Sequence, residues 1–349
     1  MLEKPDLADD RILTQLRSTY GLPAADLEFL PLGNDPTSWV YRVQTDTGAS
    51  YFLKIKKGGI NEPSLTIPHY LKDSGIQQIV APLTTQTEQL WSKIDDFTLI
   101  LYPFIEGGTG METGMSDQQW IEFGTVLRRI HTTHLPDALS QIIHRETFTL
   151  KWDKLLRQLQ ERLNQGGFDD PFQQELAAFW NDRRDEIQQI IERTETLGRL
   201  LQRHPRDFVL CHADIHTYNL LIDHDGKMHI VDWDETQLSP KERDLMFLQG
   251  AVNGTSDPPK AETLFFEGYG QTEIDPVGIA YYRYEWVAQE IADFGKRVFL
   301  TPELGTKTRQ DAVRGFIQLF DPGDVVEEAY ESERDLPKEL QWGNRGSTS

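Results

Sequence analysis

One short stretch of the sequence carries polar residues whose types and spacing are typical of a catalytic site. His212, Asp214 and Asn219 are spaced H-x-D-x-x-x-x-N, and Asp232 follows 13 residues after Asn219. Asn219 offers an amide oxygen and Asp232 a carboxylate, and magnesium prefers such oxygen ligands. Asp214 lies on the same loop, where a carboxylate can orient a hydroxyl and accept its proton. We therefore predict phosphoryl transfer, with Asn219 and Asp232 as Mg²⁺ ligands and Asp214 as the catalytic residue.

The histidines of this stretch allow a second interpretation, a metal-dependent hydrolase. The candidate ligands for such a site are His212, Asp214, His216, His224, His229 and Asp232. Against it, a His-x-Asp-x-His sequence on one loop lacks the further ligand motifs that hydrolase sites need. Metal content separates the two: a hydrolase would purify with zinc, manganese or iron, whereas a phosphotransferase binds magnesium mostly with its nucleotide.

The elements that must position these residues divide the chain into an α+β part and a helical part. Alternating apolar residues predict strands at Leu27–Leu32, Trp39–Gln44, Tyr51–Lys56, Ile79–Pro82 and Thr98–Pro103. A predicted helix, Ser64–Asp73, interrupts them, and helical patterns dominate from Ser116 onward. We predict an N-terminal lobe over residues 1–103 with a five-stranded antiparallel sheet and one helix, a larger helical lobe over 104–330, and a loose tail over 331–349.

Composition narrows the possible partners and the compartment. The 349 residues carry a formal net charge of −21, which disfavours nucleic acid and anionic membranes and suits a cationic substrate. A single cysteine, Cys211, excludes an intramolecular disulfide and a cysteine-based zinc site. Residues 1–12 lack the apolar core of a signal peptide, and the longest apolar run, Phe97–Ile105, is too short to span a bilayer. We therefore expect a cytoplasmic protein.

Several motifs together resemble a known family. They are Tyr102-Pro-Phe-Ile105, Val209-Leu-Cys-His-Ala-Asp-Ile-His216, Val231-Asp-Trp-Asp-Glu235, Ser239-Pro-Lys-Glu-Arg-Asp-Leu-Met-Phe247 and Phe266-Glu-Gly-Tyr-Gly270. The chain resembles the aminoglycoside-type phosphotransferases from Leu27 to about Val326, and within them it is most similar to the spectinomycin (aminocyclitol) branch. The resemblance implies a bilobal protein-kinase-like fold.

The resemblance also implies a nucleotide site in the N-terminal lobe. Lys54 occupies the place of a strand lysine that contacts the nucleotide phosphates, and Glu62 is the candidate for its partner on the following helix. Because Pro63 follows Glu62, that acid stands at the helix start, where it can instead serve the helix dipole. The segment from Tyr102 through Phe104 to Ile105 would be the hinge that meets the purine.

The predicted phosphate loop departs from the protein-kinase pattern. The segment from Leu32 to Trp39 has a single glycine, and the hydroxyls and amides of Thr37 and Ser38 are its candidate phosphate ligands. An ordinary hairpin turn is an equally good interpretation of this segment.

Residues around the catalytic loop receive supporting or substrate roles. By resemblance, His212 props the loop and Asp244, at a helix start, braces it. Asp234 and Glu235 follow the metal ligand on the side where an acceptor would dock, and His216 could touch phosphate or substrate. A further candidate is Glu290, which lies on a segment resembling a substrate-side helix, although acids on such a helix can equally form a solvated face.

The expected activity is MgATP- or MgGTP-dependent phosphorylation of a small cationic polyol, with an aminocyclitol such as spectinomycin preferred. A metabolic kinase of the same fold, acting on choline, homoserine, methylthioribose or a fructosamine, is the alternative. A nucleotide-binding pseudokinase is disfavoured because Asp214, Asn219 and Asp232 are all present.

Overall fold

The computed structural model describes residues 4–33, 35, 37–248 and 255–341. The chain forms two compact units, and each combines two separate stretches of sequence. Met1–Arg145 joins Phe208–Gln271 in the first unit, and Glu146–Asp207 joins Thr272–Ser349 in the second. The lobe boundary expected at residues 103 and 104 stays a prediction.

The N-terminal region is a five-stranded sheet with two helices. Its elements are α1 (Asp9–Tyr20), β1 (Ala24–Leu30), β2 (Ser38–Thr45), β3 (Ser50–Lys57), α2 (Pro63–Asp73), β4 (Ser92–Ile94) and β5 (Phe97–Pro103). The strand order is β1-β2-β3-β5-β4, and every neighbouring pair is antiparallel. The predicted five-stranded antiparallel sheet is therefore confirmed.

The two faces of this sheet have different roles. Leu53 of β3 and Leu99 of β5 are buried in one apolar core with Ile12 and Leu16 of α1. Because side chains alternate along a strand, Lys54 of β3 points to the opposite face. The sheet is thus anchored by its apolar face, and the opposite face carries Lys54.

One predicted strand was wrong. Ile79–Pro82 does not join the sheet, whose fifth member is the short β4. The backbone of this segment instead forms an isolated parallel bridge with Ile230. Ile230 N donates to Gln78 O at 2.7 Å, and Val80 N donates to Ile230 O at 3.0 Å. The apolar residues of this segment therefore reflect packing beside Ile230. Three residues of β4 were too few to give an alternating pattern.

The remaining elements are mainly helical. They are, in chain order, β6 (Gly107–Thr109), α3 (Gly110–Thr113), α4 (Asp117–His131), α5 (Asp137–Ile142), α6 (Asp153–Gln165), α7 (Pro171–Asp182), α8 (Arg184–Leu201), β7 (Val209–Cys211), β8 (Leu220–Asp223), β9 (Met228–Ile230), β10 (Gln237–Ser239), α9 (Glu242–Leu245), α10 (Pro258–Tyr269), α11 (Pro276–Phe299), α12 (Thr306–Gln318) and α13 (Val325–Glu331). Two small antiparallel sheets, β6-β8-β9 and β10-β7, include the strands on either side of the predicted site residues Asp214, Asn219 and Asp232. The predicted helix Arg243–Gly250 lies partly outside the described residues.

Helices α4 and α10 of the first unit touch backbone to backbone. A Cβ atom on Gly124 of α4 would lie 2.0 Å from the carbonyl oxygen of Phe265, and one on Gly268 of α10 would lie 1.9 Å from that of Ile121. Only glycine fits at either position. The capping box of Ser116 and Gln119, with both of its hydrogen bonds formed, fixes where α4 begins.

The second unit is built around α11, whose Tyr281, Tyr282 and Tyr284 are fully buried. Part of the segment predicted to be a loose tail is held by Arg193 of α8. Its guanidinium donates to both carboxylate oxygens of Glu333, at 2.6 and 2.7 Å, and to the carbonyl of Leu340 at 2.6 Å. Residues 342–349 lie outside the described part of the chain. Within the described part, no helix is both long and apolar enough to cross a membrane.

Candidate active site

The predicted catalytic loop, residues 212–219, follows β7 and ends in a 3₁₀ turn, Thr217–Asn219. Asn219 closes the loop, because its Nδ2 donates to the main-chain oxygen of Asp214 at 2.7 Å and to its Oδ2 at 3.0 Å. Both bonds use the amide nitrogen, so the amide oxygen is the atom of Asn219 that could bind a metal. Asp214, the predicted catalytic residue, and Asn219, a predicted metal ligand, are thus in direct contact.

The second carboxylate oxygen of Asp214 is available to bind the hydroxyl group of a phosphate-accepting substrate. Oδ1 is buried and has no hydrogen bond among the described residues, although Nε2 of His216 lies 3.2 Å away. A buried acceptor atom without a donor is costly unless a ligand supplies one. A substrate hydroxyl placed at Oδ1 would supply it.

Asp232, the other predicted metal ligand, follows β9 in a left-handed backbone conformation with φ of 61°. Strained conformations of this kind in residues other than glycine concentrate at functional sites. Nζ of Lys54 lies 3.2 Å from Oδ1 of Asp232, so the lysine on β3 reaches the catalytic segment. Together with Asn219, Asp232 gives a pair of oxygen donors that fits magnesium.

A second lysine joins this cluster. Oδ2 of Asp234 accepts hydrogen bonds from Lys54 at 3.0 Å and from Lys56 at 2.8 Å. Burial lowers the pKa of Lys54, but the charges of Asp232 and Asp234 outweigh it and raise that pKa above its ordinary value. Burial likewise opposes ionisation of Asp234, but the two lysines hold its pKa at about 2. Lys54 and Asp234 are therefore both charged at neutral pH.

Asp234 was predicted to face the acceptor, and that role stays a prediction. In the structure its carboxylate lies between Lys54 and Lys56, and its main-chain oxygen accepts a hydrogen bond from Asn61 at 3.1 Å. The intervening Trp233 is buried, with its ring 4.6 Å from that of His212, and this orientation turns Asp234 toward the lysines. Lys56 was not among the predicted site residues. Its spacing of two from Lys54 was the signal that both lie on one face of β3.

Glu62 does not contact Lys54 in this structure. Its side chain is exposed, and no ion pair joins the two residues within the described part of the chain. The reason is local: Pro63 is the first residue of α2, so Glu62 precedes the helix body. The carboxylates that neutralise Lys54 come from the catalytic segment instead.

The predicted phosphate loop is described only in part. Asp35 Oδ1 accepts from both the main-chain N–H and the hydroxyl of Thr37, at 2.8 and 2.7 Å. Ser38 is buried at the start of β2, and its hydroxyl has no hydrogen-bond partner among the described residues. Asn34 and Pro36 lie outside those residues. Phosphate contact by Thr37 and Ser38 stays a prediction.

The predicted hinge begins within the last two residues of β5 and continues to Ile105. Tyr102 shares the sheet face of Lys54, and its ring packs edge-on against Phe52 with centroids 6.4 Å apart. Burial raises the pKa of Tyr102, and the charge of Lys54 opposes this. Phe104 lies under the guanidinium of Arg42 at 4.6 Å, and Ile105 is half-buried.

The two predicted supporting residues contact the catalytic loop. Asp244, fully buried at α9, accepts from the main-chain N–H groups of His212 at 3.0 Å and Ala213 at 2.7 Å. Nε2 of His212 lies 2.9 Å from the main-chain oxygen of Val231, the residue before Asp232. These bonds link the loop that carries Asp214 to the segment that carries Asp232.

The remaining substrate candidates are less well placed by the structure. Glu235 is half-buried and follows Asp234 directly. Glu290 belongs to α11, in the second compact unit. Their roles, and that of His216, stay predictions.

Comparison with known proteins tests the predicted family. Residues 26–284 match the model of the phosphotransferase enzyme family. The solved structure of a spectinomycin phosphotransferase, APH(9)-Ia, in complex with ADP and spectinomycin is 31% identical, with a TM-score of 0.84 over 95% of this chain and 100% of that one. Protein StrN of Streptomyces griseus is 26% identical over 86% of this chain and 87% of its own.

A more distant structure shares the fold. An amicoumacin kinase, hAmiN, superposes with a TM-score of 0.59 over 91% of this chain and 95% of its own at 18% identity. The kinase-like fold class and the likeness to spectinomycin phosphotransferase, both predicted from the sequence, are thus confirmed. The chain belongs to the phosphotransferase enzyme family and is a small-molecule kinase.

Proposed function

We propose that this protein transfers the γ-phosphate of ATP to a hydroxyl of a small cationic polyol, with an aminocyclitol such as spectinomycin as the preferred acceptor. One observation supports this most: Asp214, Asn219, Asp232 and Lys54 converge within one compact unit. The 31% identical relative was solved with ADP and spectinomycin, which favours both the adenine nucleotide and the aminocyclitol.

In this mechanism Asp214 provides the base. The acceptor hydroxyl donates to its Oδ1 and gives up its proton as the hydroxyl oxygen forms a bond to the γ-phosphorus. The bond from that phosphorus to the β–γ bridging oxygen breaks, and ADP leaves. Asn219 fixes the position of Asp214 through the two bonds from its amide nitrogen.

The charged groups around the loop bind the triphosphate. Lys54 gives a fixed positive charge for phosphate oxygens. Magnesium, held by the amide oxygen of Asn219 and the carboxylate of Asp232, would neutralise the charge on the transferred phosphoryl group. The net charge of −21 suits an ammonium-bearing acceptor.

A substrate panel tests the proposal. The protein is incubated with MgATP or MgGTP and with spectinomycin, choline, homoserine or a neutral sugar, and the phosphorylated product is identified by mass. Asp214→Asn keeps the shape of the side chain but removes the base, so we expect kcat to fall by about 10²–10⁴-fold. Asp225→Asn, on the exposed turn between β8 and β9, is the matched control and keeps full activity.

The panel also separates the alternatives. Product on spectinomycin that disappears with Asp214→Asn supports the proposal. Turnover of choline or homoserine alone identifies a metabolic kinase, and turnover of the neutral sugar alone rules out the cationic acceptor. Tightly bound zinc, manganese or iron without phosphorylation would point to the hydrolase.

A further inference from the structure

An exposed aromatic ring lies on the predicted catalytic loop. Tyr218 is the middle residue of the 3₁₀ turn Thr217–Asn219 and stands four residues after Asp214. It is 54% exposed, more than any other aromatic residue in the described part of the chain. A ring that remains in water gains little stabilisation from burial, so packing does not account for a tyrosine at this position.

Contacts through His216 place this ring on one side of Asp214. The rings of Tyr218 and His216 have centroids 5.8 Å apart, and Nε2 of His216 lies 3.2 Å from Oδ1 of Asp214. Oδ2, in contrast, accepts from Asn219 at 3.0 Å. Tyr218 is therefore linked to the carboxylate oxygen at which we place the acceptor hydroxyl.

One face of the tyrosine ring remains open to a ligand. The planes of Tyr218 and His216 are inclined at 82°, so the imidazole can cover only one face of the tyrosine. Phe247 packs edge-on against the same imidazole, with centroids 5.8 Å apart, and helps to fix it. Isolated exposed aromatic residues are common on protein surfaces. The position of this one, a single imidazole away from Oδ1, distinguishes it from them.

The chemistry of the ring indicates what it binds. The face of an aromatic ring carries negative charge and attracts an ammonium group placed within about 6 Å of its centre. A small acceptor can contact both the ring and Oδ1, because only His216 separates them. We infer that Tyr218 is a specificity-determining residue, which binds an ammonium group of the acceptor on its ring face and so favours amino-polyols over neutral sugars. This inference rests on the proposed function.

Stacking on the purine of the nucleotide is the competing role for an exposed ring. The positions of the lysines argue against it. Lys54 and Lys56, whose charges suit the triphosphate, contact Asp232 and Asp234. Tyr218 is linked instead to Asp214, on the oxygen that faces the acceptor hydroxyl in the proposed mechanism.

The test compares Tyr218→Leu, which removes the ring but keeps an apolar side chain, with Tyr218→Phe, which keeps the ring. The substrate is the amine of the panel that the native protein phosphorylates, with spectinomycin expected. At saturating MgATP, Tyr218→Leu should raise the KM for this amine about three- to tenfold and change kcat less than about twofold, since the contact is made before and during the reaction. Tyr218→Phe should keep the native KM.

Two controls isolate the charge and the position of the ring. An uncharged analogue, for spectinomycin its N-acetylated form, should show one KM in the native protein and both Tyr218 variants. Tyr330→Leu changes the other exposed tyrosine of the described residues and should leave the KM for the amine unchanged. Tyr218→Leu should also leave the KM for MgATP unchanged.

Three kinetic results would overturn the inference. They are an unchanged KM for the amine in Tyr218→Leu, an equal rise for the amine and its uncharged analogue, and a rise for MgATP alone. If the native protein phosphorylates nothing in the panel, the proposed function fails, and calorimetry with spectinomycin and MgADP decides the inference. Weaker binding in Tyr218→Leu than in Tyr218→Phe supports it. Equal binding in the two variants, or no binding by the native protein, overturns it.

Discussion

At the scale of single residues, Lys54, Lys56 and Asp234 form a charged cluster whose two ammonium groups suit the binding of a triphosphate. Two ammonium groups on one sheet face both bind a single carboxylate oxygen of Asp234. A phosphate oxygen carries similar charge and would bind the same donors. Lys56 is therefore expected to share with Lys54 the task of binding the nucleotide phosphates.

We predict that Lys56→Gln raises the KM for MgATP about tenfold, which corresponds to ~1.4 kcal/mol, while kcat changes much less. The loss is one charged hydrogen bond to a bound substrate, and such bonds contribute about this much. Steady-state kinetics with varied MgATP measures it. Lys57→Gln, at the neighbouring exposed position of β3, is the control. Equal KM values for MgATP in the two variants would show that Lys56 does not bind the nucleotide.

Residue type and spacing predict which candidate residues share one short loop. The proximity of Asp214 and Asn219 could be predicted in this way, and the two side chains are in contact. The place of Asp234 could not be found, because it depends on the turn at Asp232 and on the burial of Trp233. Neither the backbone conformation of a non-glycine residue nor the packing of a tryptophan is visible in a local pattern.

At the scale of helices and strands, α4 and α10 cross beside the catalytic loop. The last residue of α4, His131, contacts Asp244, which accepts hydrogen bonds from that loop. The close approach at Gly124 and Gly268 brings the ends of the two helices together, where His131 meets Tyr269. The helices were predictable from periodicity and caps, as at Ser116. The contact between the two helices could not be predicted, because a glycine within a helical pattern does not show which element packs against it.

We predict that Gly268→Ala lowers both stability and activity. The added Cβ would lie 1.9 Å from the carbonyl oxygen of Ile121, so the helices must separate, and overpacking of this kind costs about 1–3 kcal/mol. A lower thermal midpoint with a lower kcat per active site, counted by MgADP binding, is the expected result. Gly59→Ala, where a Cβ meets nothing within 4 Å, should change neither. An unchanged midpoint in Gly268→Ala would show that the helices do not touch as described.

At the scale of the whole molecule, neither compact unit is one continuous stretch of the sequence. Each unit combines residues that are far apart along the chain, and in the second unit, for example, Arg193 of α8 binds Glu333. Composition and motifs can separate an α+β region from a helical one, but they do not say which distant helices share a core. Charge, in contrast, is a property of the whole chain that composition gives directly.

The charge leads to a last prediction, on the capture of the acceptor. A protein with a net charge of −21 attracts a cation over distances that salt shortens, since the Debye length falls from roughly 30 Å at 0.01 M to about 10 Å at 0.1 M. We therefore expect kcat/KM for a cationic acceptor to fall severalfold when KCl rises from about 0.01 to 0.3 M. The N-acetylated form of the same acceptor keeps its hydroxyls but loses its charge, and its kcat/KM should stay nearly constant at saturating MgATP. If both forms respond equally to salt, long-range attraction by the acidic protein does not contribute to substrate capture.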